Sequence, residues 1–146
     1  MRERNLSPAD AARVLEQFFR EGALPGVVSA YLFGSVAEGR SHRESDVDVG
    51  VLLSRDVYPT ERDRFDEGVR LSSEIVGTLG TNAIDVVVLN DAPPHLARRI
   101  LTSGRRVFSA APEADRDFVR DTQLRAADLE PFLRRTRRLK LDAIGR

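Results

Sequence analysis

The segment SDVDVGVLL, residues 45–53, constrains the fold more than any other part of this chain. From position 47 onward, hydrophobic side chains occupy every second position, which predicts a β-strand over residues 46–53 with one fully apolar face. Asp46 and Asp48 fall on the opposite face with Gly50, which leaves space above the backbone. These aspartates are either solvated at a loop exit or bind a cation. The valines that follow favour a cation, because strand interiors are depleted in aspartate and an unpaired buried charge is costly.

Periodicity and capping residues predict the remaining elements. Strands are expected over residues 27–33 and 83–89, with an edge strand in the segment RRVFSA at 105–110. Helices are expected between the capping signals Ser7 and Gly22, between Thr60 and Gly80, between the NDAPP segment and Gly104, and over residues 113–144 with a break or kink at Pro131. The second of these helices is predicted to bury one apolar face formed by Phe65, Val69, Ile75, Val76 and Leu79.

The order of these elements predicts an α/β (α+β) domain, in which a small sheet carries helices on one face. The length favours one domain over residues 1–146, with a core of about 7–110 and a C-terminal helical segment of about 113–144. Periodicity alone leaves open whether neighbouring strands run parallel or antiparallel.

Asp85 is a third aspartate inside a predicted strand, in the segment IDVVVL. If that strand lies beside residues 46–53, three carboxylates share one patch: Asp46, Asp48 and Asp85. Close carboxylates repel one another, and a divalent cation relieves the repulsion. Hard oxygen ligands suit Mg²⁺, and two such ions about 3.5–4 Å apart are the usual arrangement for displacement at phosphorus.

Gly34 and Ser35 follow the first predicted strand, where a short helix could begin. Exposed backbone N–H groups at such a turn bind anions, and glycine lets a phosphate approach the main chain. The serine hydroxyl adds one donor. A triphosphate bound there would lie across the loop from the aspartates, although Gly-Ser alone is equally compatible with a simple turn.

Composition excludes several classes of function. Lysine plus arginine and aspartate plus glutamate number 23 each, so net charge gives no reason to expect direct binding to nucleic acid. The chain has no cysteine, which excludes disulfides, cysteine-based zinc sites and thiol nucleophiles. The charged N-terminal segment and the lack of a long apolar run predict a cytoplasmic protein without a membrane partner.

Several motifs together resemble the signature of polymerase-beta-like nucleotidyltransferases. Gly34-Ser35 is followed after ten residues by Asp46-Val47-Asp48, with Ala37 and Gly39 between them and Ser45 completing SDVD. Asp85 falls where that family has its third carboxylate. Over about residues 23–110 the chain is most similar to minimal nucleotidyltransferases of the MntA type, which are antitoxins encoded beside HEPN-domain toxins.

This resemblance implies a small mixed sheet and transfer of AMP from ATP, with Mg²⁺, to a toxin hydroxyl that is usually a tyrosine. Asp46, Asp48 and Asp85 would hold the metal ions, and Asp85 would also help deprotonate the acceptor. Gly34, Ser35 and Ser45 would bind the nucleotide. The chain departs from many relatives by having Glu38 where they have arginine.

Two alternatives keep the fold and change the function. The acceptor could be a small hydroxyl compound such as an aminoglycoside, bound in a pocket closed by homodimerisation. The chain could also be an antitoxin that blocks its toxin by binding alone. A basic run near the C-terminus, Arg134 to Lys140, is either a solvated helix face or a surface that binds a partner such as the toxin.

Overall fold

The computed structural model describes residues 7–34, 47–80 and 84–144. Its elements, in chain order, are helix α1 (Pro8–Glu21), strands β1 (Val27–Phe33) and β2 (Val47–Leu53), helix α2 (Glu61–Leu79), strand β3 (Ile84–Val88), a 3-10 turn (Leu89–Asp91), helix α3 (Pro94–Ser103), strand β4 (Arg105–Ser109) and helix α4 (Pro112–Ile144). The order confirms the predicted α/β class. No helix within the described ranges is long and apolar enough to span a membrane.

The helix boundaries follow from local capping. The Ser7 side chain accepts a hydrogen bond from the Asp10 backbone N–H at 3.1 Å, which satisfies one free donor at the start of α1. Thr60 and Asp63 form a reciprocal capping box at the start of α2. Gly80 ends α2 in the left-handed conformation, at φ 70°.

Among the described residues, four strands form one sheet in the order β3-β2-β1-β4. Strand β1 runs antiparallel to both β2 and β4, whereas β2 and β3 are parallel. The sheet is therefore mixed, and β4 is an edge strand as predicted. A parallel pair needs a crossover connection, which α2 supplies between β2 and β3.

Helices cover both faces of the sheet, whereas the sequence predicted them on one. Helices α1 and α2 pack on the face that carries the alternating valines of β2. The other face is covered by α3 and the start of α4, through contacts with Tyr31, Leu52 and Val87. Because these apolar side chains share a face with the aspartates, leaving that face uncovered would expose them to water.

Helix α2 is rotated relative to the predicted apolar face. Phe65 and Val69 are 62% and 53% exposed, so their predicted burial is wrong. Ile75 and Leu79 are buried as expected, while the remaining contacts with the core come from Leu71, Gly68 and two charged residues, Arg64 and Glu67. Counting apolar residues alone missed this face, because a buried arginine with hydrogen-bond partners reads as a surface residue.

Helix α4 is anchored to the sheet by a buried carboxylate. The Tyr31 hydroxyl donates a hydrogen bond of 2.7 Å to Asp115 Oδ1, and Arg106 donates one of 3.0 Å to Oδ2. Burial, with Asp115 as the second cause, raises the pKa of Tyr31 far above its usual value, so this hydroxyl remains a donor. The helix continues through Pro131, so the predicted break is absent.

Candidate active site

The structure brings Asp48 and Asp85 together. In the parallel pairing of β2 with β3, Asp48 is the register partner of Asp85. Register partners lie on the same face of neighbouring strands, which are about 4.8 Å apart. Asp48 is half-buried and Asp85 is exposed, so the pair is open to solvent on the β3 side. Two carboxylates so placed can bind one cation jointly.

Gly34 lies against this pair at the end of β1. Its φ of 83° lies in the left-handed region, where other residues are strained. A side chain would also collide with Asp48, because a Cβ at position 34 would lie 2.2 Å from the Asp48 Oδ2. The carboxylate therefore rests directly above the glycine, and both the turn and the close approach require glycine here.

A cavity of about 180 Å³ opens beside Gly34 and Asp48. Its other walls come from the end of β1 and from one face of α3, and the lining residues are Phe33, Gly34, Asp48, Leu96, Arg99, Ile100 and Ser103. The residues from α3 recur at intervals of three and four, as one helical face does. The cavity thus combines a carboxylate, a glycine turn and a guanidinium.

Among the described residues, Arg99 is the cation that lines this cavity, and the sequence analysis did not identify it. A guanidinium binds phosphate oxygens in a bidentate manner. Its spacing from Leu96 and Ile100 could have revealed it, but only once α3 was known to lie over the aspartate face. Arg98, the preceding residue, instead approaches Glu130 at 3.8 Å.

The space expected above Gly50 is filled by protein. A Cβ there would lie 3.1 Å from Ile100 Cγ2 and 3.3 Å from Leu89 Cδ2. Gly50 therefore allows α3 and the 3-10 turn to approach the sheet, and it does not open a ligand cavity. The prediction of free space at this position is wrong, because α3 packs on the same face as the aspartates.

Three predicted site residues, Ser35, Ser45 and Asp46, lie outside the described residues. Within the described ranges there is no group of three metal-ligating acidic or histidine side chains. The pair Asp48 and Asp85 nevertheless fits Mg²⁺, which typically takes one or two protein carboxylates and completes its octahedral shell with water and phosphate.

Comparison with known proteins identifies a family and several similar proteins. A family model described as "Polymerase beta, Nucleotidyltransferase" matches residues 15–113. Over 87 residues the chain is 30% identical to the protein adenylyltransferase MntA of Shewanella oneidensis. That match covers 58% of this chain and 56% of the relative, so the chain spans little more than half the length of that protein.

Two solved structures have a similar fold. A chain of a toxin-antitoxin crystal structure with AMP-PNP has a TM-score of 0.61 at 23% identity, with 92% of this chain and 98% of that chain covered. A chain from the complex of tri-AMPylated Shewanella oneidensis HEPN toxin with MNT antitoxin has a TM-score of 0.56 at 20% identity, with coverage of 95% and 99%. The family model spans more than half of the chain and includes β1, β2 and β3, so the chain belongs to the polymerase beta nucleotidyltransferase family.

Proposed function

We propose that this chain transfers AMP from ATP to a hydroxyl group of a cognate HEPN ribonuclease toxin and thereby neutralises the toxin. The hydroxyl group is usually that of a tyrosine. The observation that carries the proposal is the register pairing of Asp48 with Asp85 beside Gly34. The similar protein adenylyltransferase MntA and the similar structure with tri-AMPylated toxin support a protein acceptor. The similar structure with AMP-PNP supports ATP as the donor.

In this proposal Asp46, Asp48 and Asp85 would together hold Mg²⁺. Asp85 lies at the open side of its pair with Asp48, where an acceptor can approach. The acceptor oxygen forms a bond to the α-phosphorus while the bond from that phosphorus to the bridging oxygen breaks, and pyrophosphate leaves. Asp85 accepts the proton of the acceptor hydroxyl. Bound Mg²⁺ would supply charge neutralisation for the phosphates.

The phosphate-binding part of the proposal rests on Gly34, Ser35 and Ser45. The Gly34 main chain and the two serine hydroxyls would donate hydrogen bonds to a phosphate. Phosphates there would lie beside Asp48, whose carboxylate contacts Gly34. The protein acts in the cytoplasm, where ATP is present, and forms a complex with the toxin.

Arg99 lies on α3, and we propose that it contacts the triphosphate. Replacing it with alanine should raise the KM for ATP by about tenfold to a hundredfold, because a charge-assisted hydrogen bond is worth about 1.5–3 kcal/mol. Steady-state kinetics with varied ATP measures this effect. Arg98→Ala is the matched control, since Arg98 approaches Glu130 and lines no part of the cavity. Equal KM values for the two variants would show that Arg99 does not contact the nucleotide.

The function itself is tested by incubating the protein with ATP labelled on the α-phosphate, Mg²⁺ and the HEPN toxin encoded beside it. Label should move to the toxin, and mass spectrometry should find an added AMP on a tyrosine. Toxin neutralisation by the Asp46→Ala/Asp48→Ala variant would instead favour an antitoxin that acts by binding alone. Transfer of label to an aminoglycoside and not to the toxin would favour a small-molecule acceptor.

A further inference from the structure

A groove of about 370 Å³ runs between α2 and β3, on the opposite side of Asp85 from the cavity that contains Arg99. Its lining residues are Glu61, Phe65, Gly68, Val69, Ser72, Ser73, Asp85, Val86, Val88 and Asp91. Along α2 the lining spans residues 61–73, which corresponds to about 18 Å at a rise of about 1.5 Å per residue. An extended peptide of five or six residues has about this length, at about 3.3 Å per residue.

The floor of the groove is apolar and unusually exposed. Phe65 and Val69 lie one turn apart on α2, and they are among the most exposed large hydrophobic side chains of the described residues, at 62% and 53%. Gly68 lies between them, and a Cβ there would meet Val88 Cγ2 at 3.0 Å, so α2 approaches β3 closely at this point. Adjacent exposed apolar side chains beside a groove can contribute to a protein interaction surface.

The outer edge of β3 borders this groove. In the described part of the sheet β3 pairs only with β2, so its other edge has no neighbouring strand. Backbone donors and acceptors along such an edge can pair with an added extended segment. A small molecule would use neither this edge nor the full length of the groove.

Among the described residues, the charged side chains that line the groove are all acidic, and no lysine or arginine is among them. Glu61 and Asp91 lie towards one end, and Asp85 lies at the other. Asp91 is paired with Arg64, and the Asp85 carboxylate lies on the α3 face of the sheet, so Glu61 is the charge that faces an occupant on the α2 side. A segment with a lysine or arginine next to its apolar residues would be complementary to this lining.

The groove also leads to the candidate active site. Asp85 lines the groove and is at the same time the register partner of Asp48. The Asp85 carboxylate lies on the α3 face of the sheet, opposite the face that α2 covers. Side chains of an extended segment paired with the outer edge of β3 would alternate between the two faces, so every second one would lie on the face of that carboxylate.

We propose that the groove between α2 and β3 binds an extended segment of the acceptor protein, with apolar side chains on Phe65 and Val69 and a basic side chain near Glu61. This inference rests on the proposed function, because it identifies how that function recognises a protein acceptor. It assigns substrate selection to a surface separate from the nucleotide cavity.

The test measures binding separately from transfer. In an Asp48→Asn background, in which transfer is expected to be at least about a hundredfold slower, the affinity for the co-encoded HEPN toxin is measured by biolayer interferometry with and without Phe65→Ser/Val69→Ser. We expect the double change to weaken binding by at least about tenfold, since truncating central apolar residues of an interface commonly has effects of this size. Val57→Ser is the matched control, because Val57 is 47% exposed and lies outside the groove.

Further measurements separate the possible outcomes. With Asp48 restored, the thermal shift produced by ATP and Mg²⁺ should be the same with and without the groove changes, which shows that the fold and the nucleotide cavity are intact. If the double variant unfolds, Val69→Ser alone replaces it. Glu61→Gln should slow association at low ionic strength. Unchanged toxin affinity of the double variant, or no toxin binding by its parent, would overturn the inference. Groove-dependent binding without any AMP transfer by the wild type would instead overturn the proposed enzymatic function alone.

Discussion

Replacing Asp48 with asparagine should lower the rate of AMP transfer by at least about a hundredfold, the size of effect seen when one electrostatic contact to a developing charge is removed. Asparagine has nearly the same size as aspartate, so it fits above Gly34, but it lacks the negative charge that would attract Mg²⁺. The rate is measured with labelled ATP and toxin. The Tm should change little, which separates a chemical defect from a folding defect.

Controls for this prediction come from other aspartates. Asp56 is exposed in the segment after β2, and Asp56→Asn should leave the rate unchanged. Asp85→Asn should also be slow, and the Asp48→Asn/Asp85→Asn double variant should be little slower than the worse single variant, because groups that act as a unit give non-additive effects. Independent, multiplicative losses would show that the two carboxylates do not act on the same step.

The sequence predicted the parts of the site that depend on strand geometry. The alternation of side chains along β2 places Asp48 on the face opposite the valines. Asp85 lies inside a predicted strand, so it pairs with Asp48 if that strand lies next to β2. The strands follow from period-two burial, and the helix ends follow from a capping serine or threonine and a terminal glycine. All of these are local rules. The structure adds that β2 and β3 are adjacent and parallel, which no local pattern determines.

The remaining parts depend on how helices pack, which periodicity does not specify. Phe65 and Val69 satisfy the helical period and are nevertheless exposed, because Arg64 takes a buried position on α2 through its pairing with Asp91. Arg99 became a cavity residue only because α3 covers the aspartate face. The same covering filled the space above Gly50. In each case the deciding contact comes from an element distant in sequence.

The pairing of Arg64 with Asp91 joins α2 to the turn after β3. Arg64 Nε donates to Asp91 Oδ2 at 2.8 Å, and Nη2 donates to Oδ1 at 2.9 Å, which forms a bidentate pair. Nη1 donates to the Tyr58 carbonyl at 3.0 Å. The hydrogen bond to Asp91 is the main cause that raises the pKa of Arg64, so the guanidinium remains charged although its side chain is only 5% exposed.

Asp91→Ala should lower the free energy of unfolding by about 3 kcal/mol, because it leaves this buried guanidinium without its carboxylate. For a chain of this length that corresponds to a fall in Tm of about 10 °C, measured by thermal denaturation. Asp66→Ala is the matched control, because it breaks an exposed ion pair between Arg62 and Asp66. The side chains of these residues are 84% and 62% exposed, so the free energy of unfolding should fall by less than about 1 kcal/mol. Adding Arg64→Met to Asp91→Ala should recover part of the loss, since the unpaired charge is then gone as well. If Asp91→Ala costs no more than Asp66→Ala, the bidentate pair does not hold α2 in the orientation that exposes Phe65 and Val69.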